Sequence, residues 1–275
     1  MPKKNLSSSG QTGPLSVGNV VSASLQIYRD RFKPYFGLAF VAYLWLLVPI
    51  YGWAKFSAIS ALISRLAFGE VSEKPETVSD ARREVNPRMW SFLWAGILTF
   101  LIFLGVSLVG GLALGILAGG AAAILGQNYV IIGALVVVAI IAFFIIYIRI
   151  VSRLLIVELP LAIENNIDAS SAISRSWQLT KGSVGRIQWI VFVGILVSLP
   201  ITIVVQILSA IVQLVLTPLL GAETSLFYLV YYLLILPLSF GSGALVTPFW
   251  QAMKAIIYYD LRSRKEGLGL KMRDR

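Results

Sequence analysis

The chain contains no cysteine and no histidine. The first absence excludes disulfides, thiolate metal sites and thiol nucleophiles. The second removes the commonest general base and metal ligand at neutral pH. Charge is also scarce: Asp, Glu, Lys and Arg make up 13% of the 275 residues, against roughly 25% in soluble domains. With 57% hydrophobic residues and a mean hydropathy of +0.82, an ordinary soluble fold is excluded. No P-loop, G-x-S-x-G, H-E-x-x-H or dinucleotide fingerprint is present, so neither an enzyme nor a cofactor is expected. After Lys3 and Lys4 the chain turns to Ser, Gly and Thr rather than an apolar run, so no cleavable signal peptide is expected.

What the chain has instead is long, continuous apolar runs. A helix needs about 20 apolar residues to cross a hydrocarbon core of roughly 30 Å. In lipid the backbone must satisfy its own hydrogen bonds, and unbroken rather than alternating runs select helices over a barrel. The expected fold is an all-α, polytopic membrane bundle. Its spans fall at about 34–51, 53–69, 89–118, 130–157, 187–216 and 226–257, six helices forming three hairpins. Residues 1–15 are polar and Gly/Ser-rich, expected to be disordered; residues 259–275 form a basic tail. Residues 16–33 read as an amphipathic helix with Val17, Val21, Leu25, Tyr28 and Phe32 on one face, suited to the headgroup region.

Lys and Arg set the orientation. They cluster within 1–33, 70–88, 158–186 and the tail, while 119–129 and 217–225 contain none. Basic loops stay cytoplasmic, so both termini are expected there. Segment 53–69, with Lys55 and Arg65, decides the topology. If it did not cross, 70–88, 158–186 and the tail would lie opposite the N-terminus. Its crossing puts every basic cluster on one side. Positive charge placed beside apolar segments faces anionic headgroups, and no nucleic-acid partner is expected. The cytoplasmic pieces 16–33, 76–88 and 166–182 each lead into a crossing as a crude repeat, with Asp168 as N-cap of the last and Gly182 as its stop.

Several residues stand out within this frame. Ser107, Gly111, Gly115 and Gly119 form a smooth ribbon on one helix face, fit either for packing within the bundle or for a partner interface. Pro237, Gly241, Gly243 and Pro248 are expected to interrupt the last helix, since Pro removes a backbone donor. Broken helices form substrate sites in transporters, and Gln206, Ser209 and Gln213 on the preceding helix would join Gly241 and Gly243 around a polar cavity. The alternative is a kinked helix with its Gln side chains bonded to neighbours. Arg149 and Arg153, one turn apart, read as binders of a lipid phosphate or partner carboxylate, or as snorkelling residues with a salt bridge to Glu158. Arg175, Trp177, Lys181 and Arg262 are expected to meet headgroups or a partner. Glu158, Glu164 and Asp168 form a loose acidic group whose spacing matches no metal loop, so no metal site is expected. Asp260 and Arg264 are placed for an i,i+4 pair.

Two motifs carry a resemblance: Glu158-Leu159-Pro160 through Arg175-Ser176-Trp177-Gln178-Leu179-Thr180-Lys181-Gly182, and Tyr258-Tyr259-Asp260-Leu261-Arg262 through Arg264-Lys265-Glu266-Gly267. With PLSVG at 14–18 before a helix containing Tyr28 and Phe32, they resemble the bacterial six-helix family labelled "glycerophosphoryl diester phosphodiesterase membrane domain". The family often has Asp where this chain has Gly269. The resemblance implies six helices and a bacterial cytoplasmic membrane. It does not imply the phosphodiesterase, which belongs to a separate barrel requiring His and metal-binding carboxylates. The expected function is therefore that of a non-enzymatic accessory, assembly or organising subunit. It would bind anionic lipids, a larger membrane-protein complex or copies of itself. The competing expectation is a transporter or channel for a lipid or uncharged solute through the 187–257 hairpin.

Overall fold

The computed structural model describes residues 15–126, 128–221 and 224–267, and among these there is no strand. Residues 1–14 and 268–275, expected above as the disordered N-terminus and the end of the basic tail, lie outside the described residues. The chain forms α1 (Val17–Asp30), α2 (Phe32–Trp45), α3 (Tyr51–Val71) and α4 (Val78–Val85), then a 3-10 turn at Asn86–Arg88. It continues through α5 (Met89–Leu125), α6 (Tyr129–Leu154), α7 (Glu158–Ile163), α8 (Ala169–Thr180), α9 (Val184–Leu220) and α10 (Ser225–Glu266). Four helices, α5, α6, α9 and α10, are long and apolar enough to cross a membrane. At 1.5 Å per residue α10 is about 63 Å long.

The molecule has two storeys. Nearly all fully buried side chains gather at one end, among them Ile63, Leu159, Leu179, Ile187, Met253 and Tyr258. We call this end the base. Beyond it, the α5–α6 and α9–α10 hairpins extend as arms whose apolar side chains, such as Ile116, Val130, Leu214 and Leu229, are exposed. The division follows from the solvent. Apolar burial stabilises packing only where the alternative is water; between lipid-bathed helices that drive is absent. The base is where the chain interleaves polar with apolar residues.

Short capped helices complete the base. Ser16, Thr77 and Asp168 cap α1, α4 and α8, each side chain accepting a backbone N–H three residues on. The Ser171 and Ser170 donors hold the Asp168 carboxyl below its ordinary pKa. Gly182, with φ +81°, follows the end of α8, in the left-handed region that favours glycine. Helix α1 buries Val20, Val21, Ala23 and Ser24 and leaves Leu25 exposed, while Phe32, expected on the same helix, begins α2 and is exposed there. The expected face holds at Val21, which is buried, and at Val17 and Tyr28, which pack half-buried against the core, and fails at Leu25, because α1 packs on α10 and α9.

Helices α2 and α3 form a hairpin that returns to the base, where Arg31 and Glu70 pair at 2.8 Å. Its tip is tight. Tyr51 N donates to Pro49 O at 2.7 Å across Ile50, whose φ is +61°, a γ-turn that a β-branched residue adopts only under strain. A Cβ on Gly52 would lie 1.8 Å from Trp45 O. Helix α2 has 14 residues, about 21 Å, and its Tyr43 meets Phe240 with ring centroids 5.8 Å apart. The hairpin therefore stops beside the middle of α10.

One expectation fails here. Helix α10 runs unbroken from Ser225 to Glu266 with Pro237 and Pro248 inside it, and α9 likewise contains Pro200 and Pro218. Membrane helices tolerate such prolines because neighbouring helices, side chains and small backbone adjustments satisfy the freed groups. Gly243 serves packing instead: a Cβ there would lie 2.3 Å from the Tyr43 ring.

Candidate functional site

The arms meet the base around a cavity of about 460 Å³ between α3, α5, α7 and α10. This lies within the range of small-molecule sites, roughly 300–1,000 Å³. One wall is polar. Ser57, Ser60 and Ser64 recur on one face of α3, and Thr247, Gln251 and Lys254 on the facing side of α10, as helical spacing dictates. Lys254 Nζ lies 3.1 Å from Glu158 Oε1 at the start of α7. Ser64 Oγ lies 2.8 Å from that carboxylate and 3.0 Å from the Gln251 amide oxygen. A hydroxyl has one proton, so the consistent assignment turns the Gln251 amide round. Gln251 N–H then donates to Ser64, and Ser64 donates to Glu158. The opposite wall is apolar, with Phe92, Ala95, Leu154 and Leu155, while Phe56 joins the lining from α3 and Trp250 from α10. The Trp250 indole donates to Ser198 Oγ at 3.2 Å. Ser60, 5% exposed, lines the cavity, and its hydroxyl has no partner.

Deeper in the base a second polar set joins the short helices. Glu164 accepts from Arg175 Nε at 3.1 Å and from the Tyr258 hydroxyl, and its backbone oxygen accepts from Arg88 at 2.8 Å. Arg175 also pairs with Glu266, which Arg262 Nε reaches at 2.9 Å. Asp260 accepts from Arg186, from Arg264 Nη2 at 2.9 Å and from Leu15 N at 3.0 Å. The i,i+4 pair of Asp260 with Arg264 thus forms as part of a larger knot. Among the described residues no three carboxylates cluster to hold a metal. Glu158 and Glu164 each face a basic side chain instead.

The residues singled out in the sequence separate. Arg175 and Arg262 turn their guanidinium groups into the base, whereas Trp177 and Lys181 stay exposed. Arg153 lies over the Trp177 ring at 4.3 Å rather than against Glu158, and Arg149 is exposed. Ser107, Gly111, Gly115 and Gly119 all face outward, and a Cβ on any of the three glycines would meet nothing within 4 Å. The glycine used between α5 and α6 is Gly110, where a Cβ would lie 2.0 Å from the Phe143 ring. Packing of the ribbon inside this chain is therefore excluded.

Gln206 and Gln213 are exposed on α9. Gly241 lines a separate groove of about 520 Å³ with Phe36, Pro200, Leu208 and Pro237, nearly all apolar. The expected assembly of these two glutamines with Gly241 and Gly243 around a polar cavity does not form within the chain. The polar cavity found lies nearer the base, and sequence reasoning missed Ser60, Ser64, Gln251 and Lys254. A usable signal existed: Lys254 is the one charged residue in 226–257, and intramembrane charge marks functional sites. No family model, curated protein or solved structure matches the chain.

Proposed function

We propose that the chain is a non-enzymatic, multi-pass membrane protein acting as an accessory or organising subunit that binds other membrane proteins or lipids. The observation that carries this reading is the outward ribbon Gly111–Gly115–Gly119 on arms whose apolar surface the chain leaves uncovered. A helix surface without side chains admits another backbone closely. The base carboxylates Glu158, Glu164 and Asp260 are engaged in ion pairs, a structural use that supports the non-enzymatic reading.

The topology belongs to the same proposal. The base faces the cytoplasm of a bacterium, with α1 and α8 at headgroup level and both termini on that side. Exposed Trp90, Trp94 and Trp189 sit where an aromatic belt forms. Along α6, about 30 Å of helix separate exposed Tyr129 from exposed Arg149, matching the hydrocarbon core. The α2–α3 hairpin supplies the remaining two of six crossings. It is short, so the bilayer thins beside it and Lys55, whose ammonium lies 5.6 Å from the Tyr51 ring centre, snorkels outward.

Native mass spectrometry of the protein, extracted gently from its own membrane, tests the function. A reproducible protein partner, second copy or retained lipid is expected; a bare monomer in every mild extraction contradicts the reading. Transport through the 187–257 hairpin is the competing account. The apolar groove beside Gly241 favours an acyl chain over a polar solute as its occupant, which limits that account to lipids.

A further inference from the structure

We propose that the cavity between α3, α5, α7 and α10 binds one uncharged, hydroxyl-bearing lipid of the acylglycerol class, its head on the Ser60–Glu158–Lys254 wall. This rests on the membrane reading above and names a ligand for the site. The wall's bonding capacity selects the head. Glu158 Oε1 already neutralises Lys254, so the wall offers hydrogen bonds without net charge. Lys254 has three N–H donors, one of them directed at Glu158, and Ser60 has a buried hydroxyl with no partner. An alcohol, which both donates and accepts, is complementary to Ser60 and Lys254 together. A phosphate anion would meet the Glu158 carboxylate beside the only cation in the wall.

The position of the cavity selects the rest of the molecule. Phe56, Phe92 and Leu155 form the apolar side. At the rim Gly96 is exposed and Thr99 half-buried on α5, near exposed Trp94. A chain leaving the cavity there enters the bilayer, while the head stays at the depth where membrane meets base. An unpartnered buried hydroxyl is ordinarily costly, because nothing replaces the water it has lost. A ligand hydroxyl supplies that partner once the Ser60 side chain, whose oxygen is closed off in this conformation, turns towards the cavity that the residue lines.

The test uses the purified full chain in detergent, read by native mass spectrometry with dioctanoylglycerol, dioctanoyl phosphatidylcholine and dioctanoyl phosphatidylglycerol offered in turn. Two variants separate a site from a structural role. Gly96→Leu places a side chain where a Cβ meets nothing within 4 Å and narrows the cavity without crowding the helix. Ser60→Ala removes only the unpartnered hydroxyl. The expected result is a one-to-one adduct with dioctanoylglycerol, preferred over both phospholipids. Gly96→Leu should weaken it at least tenfold, and Ser60→Ala about fivefold, the worth of one hydrogen bond, with no loss of thermal stability. Equal adducts in all three proteins, or a preference for either phospholipid, overturns the proposal. A protein partner or lipid held outside the cavity is indifferent to both variants, so the accessory-subunit reading stands or falls separately.

Discussion

The Arg31 guanidinium and the Glu70 carboxylate, at opposite ends of the α2–α3 hairpin, meet at 2.8 Å. The contact shows that a chain entering α2 at the base comes back to the base after α3. Every later basic cluster among the described residues can then gather there: Arg65 on Glu76, Arg88 on the Glu164 carbonyl, and Lys265 on the carbonyls of Gln178 and Lys181. The pair marks this geometry without contributing much energy, because Arg31 is exposed and Glu70 only half-buried. Arg31→Ala is expected to lower stability by less than about 1 kcal/mol, measured by thermal unfolding in detergent. A large loss would show the hairpin to be held by this pair rather than by its packing on α10.

Asp260 is the opposite case. It is 5% exposed and accepts from Arg186, Arg264 and the Leu15 amide, while Arg186 also donates to the Leu15 carbonyl at 3.0 Å. Asp260→Ala leaves two guanidinium groups facing one another without their anion. It is expected to cost on the order of 3 kcal/mol, the low end for a broken buried pair because both arginines reach solvent. The same variant should loosen Leu15, making the chain at Leu15–Ser16 more sensitive to limited proteolysis. Unchanged stability and unchanged proteolysis would contradict the knot's role.

Tyr43 fills the space beside Gly243 and hydrogen-bonds Thr247 at 3.0 Å. Gly243→Ala is therefore expected to destabilise by about 1–3 kcal/mol, the usual range for overpacking. Gly241→Ala, where a Cβ meets nothing within 4 Å, is expected to be near neutral. Equal effects in unfolding experiments would remove the packing account of Gly243.

The two faces of α5 predict different phenotypes. Gly110→Ile collides with Phe143 and should destabilise the isolated chain. At Gly115 a Cβ meets nothing within 4 Å, so Gly115→Ile should leave the monomer's unfolding unchanged while abolishing any partner or second copy seen by native mass spectrometry. A complex that survives Gly115→Ile places the interface elsewhere.

The apolar runs made the long helices legible, because in lipid length and apolarity alone impose a helix. The Asp168 cap was legible for the same local reason, since it needs only an amide three residues away. The base was much less so. Its pairs join residues up to 245 positions apart, as with Leu15 and Asp260, and no local pattern specifies them. Arg175 illustrates the error. A basic residue in a cytoplasmic segment looks like a headgroup binder until Glu164 and Glu266 are brought beside it. The prolines of α10 misled in the other direction, because a soluble helix would break where this one is supported by its neighbours. The cavity needed Ser60 and Lys254 from two distant helices, although the lone charge of Lys254 in an apolar run was visible.

The arrangement itself, a cytoplasmic base with hairpin tips on the far side, is the claim on which the rest depends. Because the chain has no cysteine, single cysteines at Ala122, near the α5–α6 tip, and Val48, at the α2–α3 tip, can be treated with a membrane-impermeant thiol reagent in intact cells. The account predicts that both are labelled from outside. Labelling of Ala122 only after lysis would invert the molecule and contradict it.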